Sequence, residues 1–168
     1  APLLARRKIS AGSSVTQNWL EEIRNPLWHG TPREKADAAY REERSRIAEK
    51  RWDGLTDGEP VRDFVTRIHK GAETFLGERG VTASPQDLPV WQIKNPDRKI
   101  LCVAHAGTNS VFIGHILGLA PTPWEWERLV IGHASVSIVE TLQLGDGITF
   151  GLTQLSGLEH LPVASRTY

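Results

Sequence analysis

The uninterrupted apolar run Ile100–Ala104 constrains the fold more than any other feature of this sequence. It lies between Asp97 and the tripeptide His105-Ala106-Gly107. A short run of this kind is typical of a strand buried on both faces, as in a parallel sheet covered by helices. A helix is predicted to follow from about Thr108 to Leu117. The order of strand, then helix, predicts an α/β fold, a three-layer sandwich whose sheet is mostly parallel with an antiparallel edge.

Length and charge set further limits. A chain of 168 residues with 39% hydrophobic and 24% charged residues has the size and composition of one globular domain, here residues 1–168. Lys plus Arg and Asp plus Glu number 20 each, so we expect no long-range field that would attract nucleic acid or an anionic membrane. No apolar stretch is long enough to span a bilayer. The only cysteine, Cys102, excludes an intrachain disulfide. We therefore expect a cytoplasmic protein.

Two helices are predicted before the apolar run. Thr31 followed by Pro32, with Glu34 three residues after the threonine, is typical of a helix start, and this helix is expected to reach about Lys50. It lies within a helical insertion over about residues 31–60. A second helix follows a Gly- and Asp-rich loop, because seven apolar residues recur there at helical spacing. These residues are Val61, Phe64, Val65, Ile68, Ala72, Phe75 and Leu76.

The last third of the chain predicts a hairpin. Apolar and polar residues alternate over 134–138, Gly145-Asp146-Gly147 favours a turn, and Ile148–Leu152 follows as a second strand. We expect an antiparallel hairpin at the sheet edge.

His105 is the candidate site residue, because it stands where the predicted strand gives way to a helix. Free N–H groups and the dipole at a helix start favour an anion such as a phosphate. From the residues alone, a polar side chain that only completes the hydrogen bonding of a strand end is an equal alternative.

Longer strings resemble a known family. Residues 100–107 and Ile113-Gly114-His115-Ile116-Leu117-Gly118-Leu119-Ala120-Pro121 resemble the second-histidine block of the histidine phosphatase (phosphoglycerate mutase-like) superfamily. Ala134-Ser135-Val136-Ser137-Ile138-Val139-Glu140 resembles that family's late strand, and His160-Leu161 its C-terminal motif. The resemblance is collinear from about Leu4 to Leu161.

The same resemblance extends upstream and assigns further residues. Leu20-Glu21-Glu22-Ile23 followed by Trp28-His29-Gly30 resembles the segment that carries the family's acidic proton donor, which places Glu22 in that role. Gly58-Glu59-Pro60 resembles the family's Gly-Glu-Ser helix start. Leu4-x-Arg6 resembles the segment that supplies a phosphate-binding arginine, and the backbone N–H of Ala106 is expected to contact the phosphate as well.

The sequence departs from the family in three places. The Arg-His-Gly that carries the nucleophilic histidine does not occur in the 168 residues. Ala106 replaces the usual glycine after the second histidine, and His133 stands where the family often has asparagine. Because the chain also contains no methionine, we expect the natural protein to carry the nucleophile upstream of Ala1.

The resemblance implies phosphomonoester hydrolysis of a small phosphorylated metabolite through a phosphohistidine intermediate. His105 and Arg6 would stabilise the phosphoryl oxygens, and Glu22 would protonate the leaving group. Two alternatives stay open: a non-catalytic homologue that binds anions or a protein, and a phosphoglycerate-type mutase. No cofactor and no metal are expected, since the sequence has no Cys-x-x-Cys motif and no His-x-x-x-His pair. A homodimer is possible.

Overall fold

A computed structural model of the chain describes residues 14–85 and 87–167. Arg6 and the rest of the Leu4-x-Arg6 segment lie outside these residues. The described chain forms four α-helices, four strands and three short 3-10 helices. In chain order, the elements are a 3-10 helix Asn18–Leu20, α1 Arg33–Ser45, a 3-10 helix Ala48–Asp53, α2 Val61–Gly77, β1 Val81–Ala83, β2 Trp91–Ile93, α3 Ala106–Ile116, α4 Glu125–Arg128, β3 Val136–Gln143, β4 Ile148–Gly157 and a 3-10 helix Val163–Ser165.

The sheet is antiparallel throughout. Its four strands lie in the order β1-β2-β4-β3, and each neighbouring pair runs antiparallel. The prediction of mixed helices and strands is confirmed, but the prediction of a mostly parallel sheet is wrong. The outward side of β3 is exposed as well, with Leu142 52% accessible. Helices α2 and α3 pack on Trp91 of the sheet, and the described residues do not complete a three-layer sandwich.

The run 100–104 accounts for the wrong prediction. It forms no strand, and Leu101 and Val103 are 70% and 84% exposed. An apolar run becomes a buried strand only where neighbouring strands satisfy its backbone groups and other layers cover its side chains. Within residues 14–85 and 87–167, no strand pairs with it. Its apolar composition predicted burial, but it carries no information about which segment would cover it.

Helix α2 forms the centre of the core. All seven apolar residues at helical spacing are buried, which confirms that prediction. Phe64, Val65 and Ile68 pack with Val111 of α3, and Phe75 and Leu76 pack with Trp91 of the sheet. One amphipathic helix thus joins α3 to the sheet, so the position of α3 depends on the face that α2 presents.

Helix α1 is shorter than its predicted span of about 31–50. It ends at Ser45, and Arg46 is already extended. The Arg46 guanidinium turns back to the Glu42 carboxylate and donates to the Gly54 carbonyl at 2.6 Å. The remaining residues form the short 3-10 helix instead.

The hairpin prediction is confirmed, because β3 and β4 pair through the turn at Gly145–Gly147. Strands β1 and β2 were not predicted from the sequence. Each has only three residues, too few to show the alternation of apolar and polar residues that is typical of a strand, and a proline-rich stretch lies between them. In the described part of the chain, none of the helices has the length and apolar character needed to cross a bilayer.

Candidate active site

The start of helix α3 presents His105 to solvent. His105 is the N-cap residue, with an extended backbone (φ −73°, ψ 165°), and both it and Ala106 are exposed. Its carbonyl accepts the Asn109 N–H at 2.9 Å, and the Asn109 side-chain amide donates to the Ala104 carbonyl at 3.0 Å. These bonds fix the turn from the extended run into the helix, so His105 stands directly before the first N–H groups of α3.

Glu22 reaches the same helix start from 85 residues away in the chain. One carboxylate oxygen accepts the Gly107 N–H at 2.9 Å, and the other accepts the Ile23 N–H at 2.8 Å. Beside it, the Thr108 hydroxyl donates to the Glu21 carbonyl at 3.2 Å. The structure therefore brings Glu22, His105 and Ala106 together, three of the four site residues predicted from the sequence. The fourth, Arg6, lies outside the described residues.

Gly107 makes this contact possible, a role that was not predicted from the sequence. A Cβ atom at Gly107 would lie 2.6 Å and 3.0 Å from the two Glu22 carboxylate oxygens, and its three nearest heavy atoms all belong to Glu22. A carboxylate can approach the second residue of the helix this closely only where no side chain intervenes. The glycine directly after Ala106 was the available signal.

Arg67 and Glu59 hold the backbone that carries Glu22. The Arg67 guanidinium forms a two-pronged ion pair with Glu59 at 2.9–3.0 Å. It also donates to the carbonyls of Trp19, Glu21 and Glu22 at 3.1, 2.9 and 3.4 Å.

Glu59 completes the network on the other side of Glu22. Its carboxylate accepts the Arg24 N–H at 3.1 Å, and its own N–H donates to the Arg24 carbonyl at 2.7 Å. Burial acts to raise the pKa of Glu59, but the hydrogen bonds from Arg67 and from the Arg24 N–H outweigh burial and lower it. Glu59 is therefore an ionised acceptor. The sequence singled out the helix start that contains Glu59 but assigned no role to Glu59 or to Arg67.

The arrangement has defined chemical capacities. The N-terminus of α3 and the His105 imidazole can bind an anion, and a carboxyl group beside them can exchange a proton with a bound group. Among the residues that the structure describes, no cluster of three or more His, Cys, Asp or Glu side chains could hold a metal ion.

Two clefts lie away from this site. The first, of about 400 Å³, is lined by His69, His115 and Trp91 among others, and the second, of about 440 Å³, by Trp19 and neighbours. Neither contains His105 or Glu22. The rings of His69 and His115 stack with their centroids 4.2 Å apart. Burial, and then the neighbouring His69, lower the pKa of His115 to about 4.

The chain is similar to a known protein family. The family model described as histidine phosphatase superfamily (branch 1) matches residues 4–148. The match includes Glu22, the α2 segment and the start of α3. No curated protein and no solved structure matches the chain.

Proposed function

Because the chain belongs to the histidine phosphatase superfamily, whose members are generally phosphatases and mutases, we propose that it hydrolyses phosphomonoesters of a small metabolite through a phosphohistidine intermediate. The proposal depends chiefly on one observation. The Glu22 carboxylate is held against the start of α3 by the Gly107 N–H, two residues after His105, the N-cap of that helix. A proton donor and an anion-binding helix start then face the same phosphate ester.

The phosphate would bind at the exposed start of α3. The His105 imidazole and the Ala106 N–H would donate to phosphoryl oxygens that lie in the plane of the transition state. Because Gly107 already donates to Glu22, the preceding N–H is the one available to the substrate. An alanine at position 106 serves this purpose as well as a glycine, because only the backbone takes part.

Glu22 would supply the proton. As the bond between phosphorus and the ester oxygen breaks, its electron pair goes to the leaving alkoxide, which takes the proton of the Glu22 carboxylic acid. In the second half-reaction, water attacks the phosphohistidine and returns a proton to Glu22, while inorganic phosphate leaves. Each Glu22 oxygen accepts a single backbone N–H, from Ile23 or Gly107, so each keeps a lone pair for this transfer.

The nucleophile must be a histidine on the far side of the phosphorus from the leaving group. No Arg-His-Gly occurs in the 168 residues, so the proposal requires this tripeptide in a part of the natural protein outside this sequence. Arg6 would add a guanidinium to the phosphoryl oxygens, as the family resemblance implies.

The first test is the intact mass and N-terminal sequence of the natural protein, followed by an assay with p-nitrophenyl phosphate in the presence of EDTA. Turnover, a protein mass increased by one phosphoryl group after an acid-free quench, and loss of both in His105→Ala would support the proposal. His29→Ala is the matched control, because His29 is exposed on another loop. It should keep wild-type turnover.

The alternative is a non-catalytic homologue that retains only an anion site, and the missing Arg-His-Gly is the observation that favours it. That protein would lack the tripeptide over its whole length and would show no turnover. It would still bind inorganic phosphate in a calorimetric titration, and His105→Ala would weaken the binding. A natural protein with Arg-His-Gly but without phosphatase activity would contradict the hydrolase proposal directly.

A further inference from the structure

The backbone on both sides of Glu22 is held by an ion pair between Arg67 of helix α2 and Glu59, which lies just before this helix. Glu59 directly precedes Pro60, the N-cap of α2, and Arg67 lies two turns further along the helix. Both side chains are largely buried, Arg67 20% and Glu59 10% exposed. The pair is therefore well shielded from solvent, where charge-assisted hydrogen bonds are strong and geometrically restrictive.

Every donor of Arg67 is used. A guanidinium has five N–H donors in a fixed plane. Two bind Glu59, two bind the carbonyls of Trp19 and Glu21, and one binds the carbonyl of Glu22. The geometry is specific to arginine, because a lysine ammonium has three donors around a point and cannot span the same acceptors.

The acceptors surround the proton donor on both sides. Arg67 holds the backbone over residues 19–22, and Glu59 holds Arg24 by both its N–H and its carbonyl. The Glu22 side chain then extends from a fixed backbone to the Gly107 N–H. Since a displacement of about 1 Å in a catalytic group can lower a rate by about 100-fold, the position of this backbone matters for proton transfer.

We propose that Arg67 and Glu59 are positioning residues for Glu22, acting through the backbone of residues 19–24. This inference rests on the proposed function, in which Glu22 donates a proton to the leaving group. It predicts a particular pattern of activity loss, because a misplaced acid slows only those substrates whose leaving group needs protonation.

The activity test compares two substrates in the full-length natural protein. The leaving group of glycerol 2-phosphate is a strongly basic alkoxide, whereas that of p-nitrophenyl phosphate is a weakly basic phenolate. Arg67→Lys should lower kcat/KM for glycerol 2-phosphate by about 10- to 100-fold and that for p-nitrophenyl phosphate by less than about threefold. The ratio kcat/KM is the correct quantity, because it reports transfer of the phosphoryl group to the enzyme and not the later attack of water on the phosphohistidine.

The matched control is Arg62→Lys on the same helix. Arg62 is 60% exposed, and among the residues that the structure describes its guanidinium contacts only Glu49, at 3.7 Å, and the ring of Trp52. It should leave both substrates at wild-type rates. Should Arg67→Lys fail to fold, judged by circular dichroism and a thermal melt, Glu59→Gln tests the same clamp, that is, the Arg67–Glu59 pair that holds the backbone of residues 19–24. Equal losses on both substrates, or no loss on either, would overturn the positioning role.

A second readout needs no turnover. In a ¹H–¹⁵N spectrum, the Gly107 amide reports its hydrogen bond to the Glu22 carboxylate. Glu22→Ala defines the resonance without that bond, and Arg67→Lys should shift the amide towards it while Arg62→Lys does not. An unmoved Gly107 amide in Arg67→Lys would refute the clamp. A wild-type protein without phosphatase activity would instead refute the proposed function, and the amide measurement would still decide the clamp.

Discussion

Replacement of Gly107 by alanine should show which of two opposing effects on stability is larger. One is the loss of the hydrogen bond between Glu22 and the Gly107 N–H, and the other is the ordinary preference of a helix for alanine over glycine. The new Cβ would lie 2.6 Å from one Glu22 carboxylate oxygen and 3.0 Å from the other. The backbone of α3 cannot move easily, because Thr108 and Ser110 beside it are fully buried. The flexible end of Glu22 must therefore move away and give up its bond to the Gly107 N–H.

The expected change in stability is a difference of two effects. A hydrogen bond to a charged group contributes about 1.5–3 kcal/mol, and alanine in place of glycine within a helix returns about 1 kcal/mol. The free energy of unfolding should fall by about 0.5–2 kcal/mol. Gly77 in α2 is the control: nothing lies within 4 Å of its added Cβ, so Gly77→Ala should gain up to about 1 kcal/mol.

Urea denaturation of four proteins tests this reasoning: wild type, Gly107→Ala, Glu22→Ala and the double variant. Without the Glu22 carboxylate, alanine at position 107 should become stabilising, by about 0.5–1 kcal/mol. Activity should follow the contact, so that Gly107→Ala loses turnover of an alkyl phosphate although it remains folded. If Gly107→Ala is stabilised as much as Gly77→Ala in the presence of Glu22, the carboxylate does not lie where the structure places it.

Three further outcomes are expected. Glu59 has a lowered pKa in the folded protein. Its pair with Arg67 therefore stabilises the folded state fully above the pKa of Glu59 in the unfolded chain, and this stabilisation is lost as pH falls through the pKa in the folded protein. Between pH 7 and pH 3, the urea midpoint should drop further for wild type than for Glu59→Gln. Gly71→Ala should destabilise by about 1–3 kcal/mol, because its Cβ would enter the ring of Trp19; unchanged urea unfolding would contradict that packing. Burial lowers the pKa of His115 to about 4, so between about pH 4 and the ordinary pKa of 6.5 the unfolded state binds more protons than the folded state. The free energy of unfolding should therefore fall as pH drops through this range. This decline should be shallower in His115→Gln, and equal slopes of stability against pH in the two proteins would show that another group is responsible.

The sequence predicted those parts of the fold whose signals are local. The periodicity of α2 identified every buried residue on its inner face, and the Gly145–Gly147 turn identified the hairpin. The prediction of a buried strand at 100–104 was wrong for the opposite reason. Its burial depends on pairing partners remote in the chain, and its composition carries no information about which strands those are.

The candidate site divides in the same way. His105 was visible because a strand-like run, a histidine and a helix follow each other directly. Glu22 was identified only through resemblance, since nothing local indicates that a carboxylate 85 residues upstream meets the Gly107 N–H. Arg67 had no signal, because an arginine in an amphipathic helix is ordinarily on the solvated face.

Helix α2 positions two parts of the candidate site, so substitutions where α2 packs should differ in effect from substitutions at the exposed start of α3. The apolar face of α2 packs on Val111 of α3, while Arg67 on the same helix holds the backbone of Glu22. Helix α2 thus sets both the position of the proposed anion-binding helix start and that of the proposed proton donor. Under the proposed function, substitutions at the exposed start of α3 would change which phosphate ester binds without moving Glu22. A shift of α2 against α3 would change the distance between the two functions, so substitutions in this helix interface should affect proton transfer even though none of them touches the phosphate.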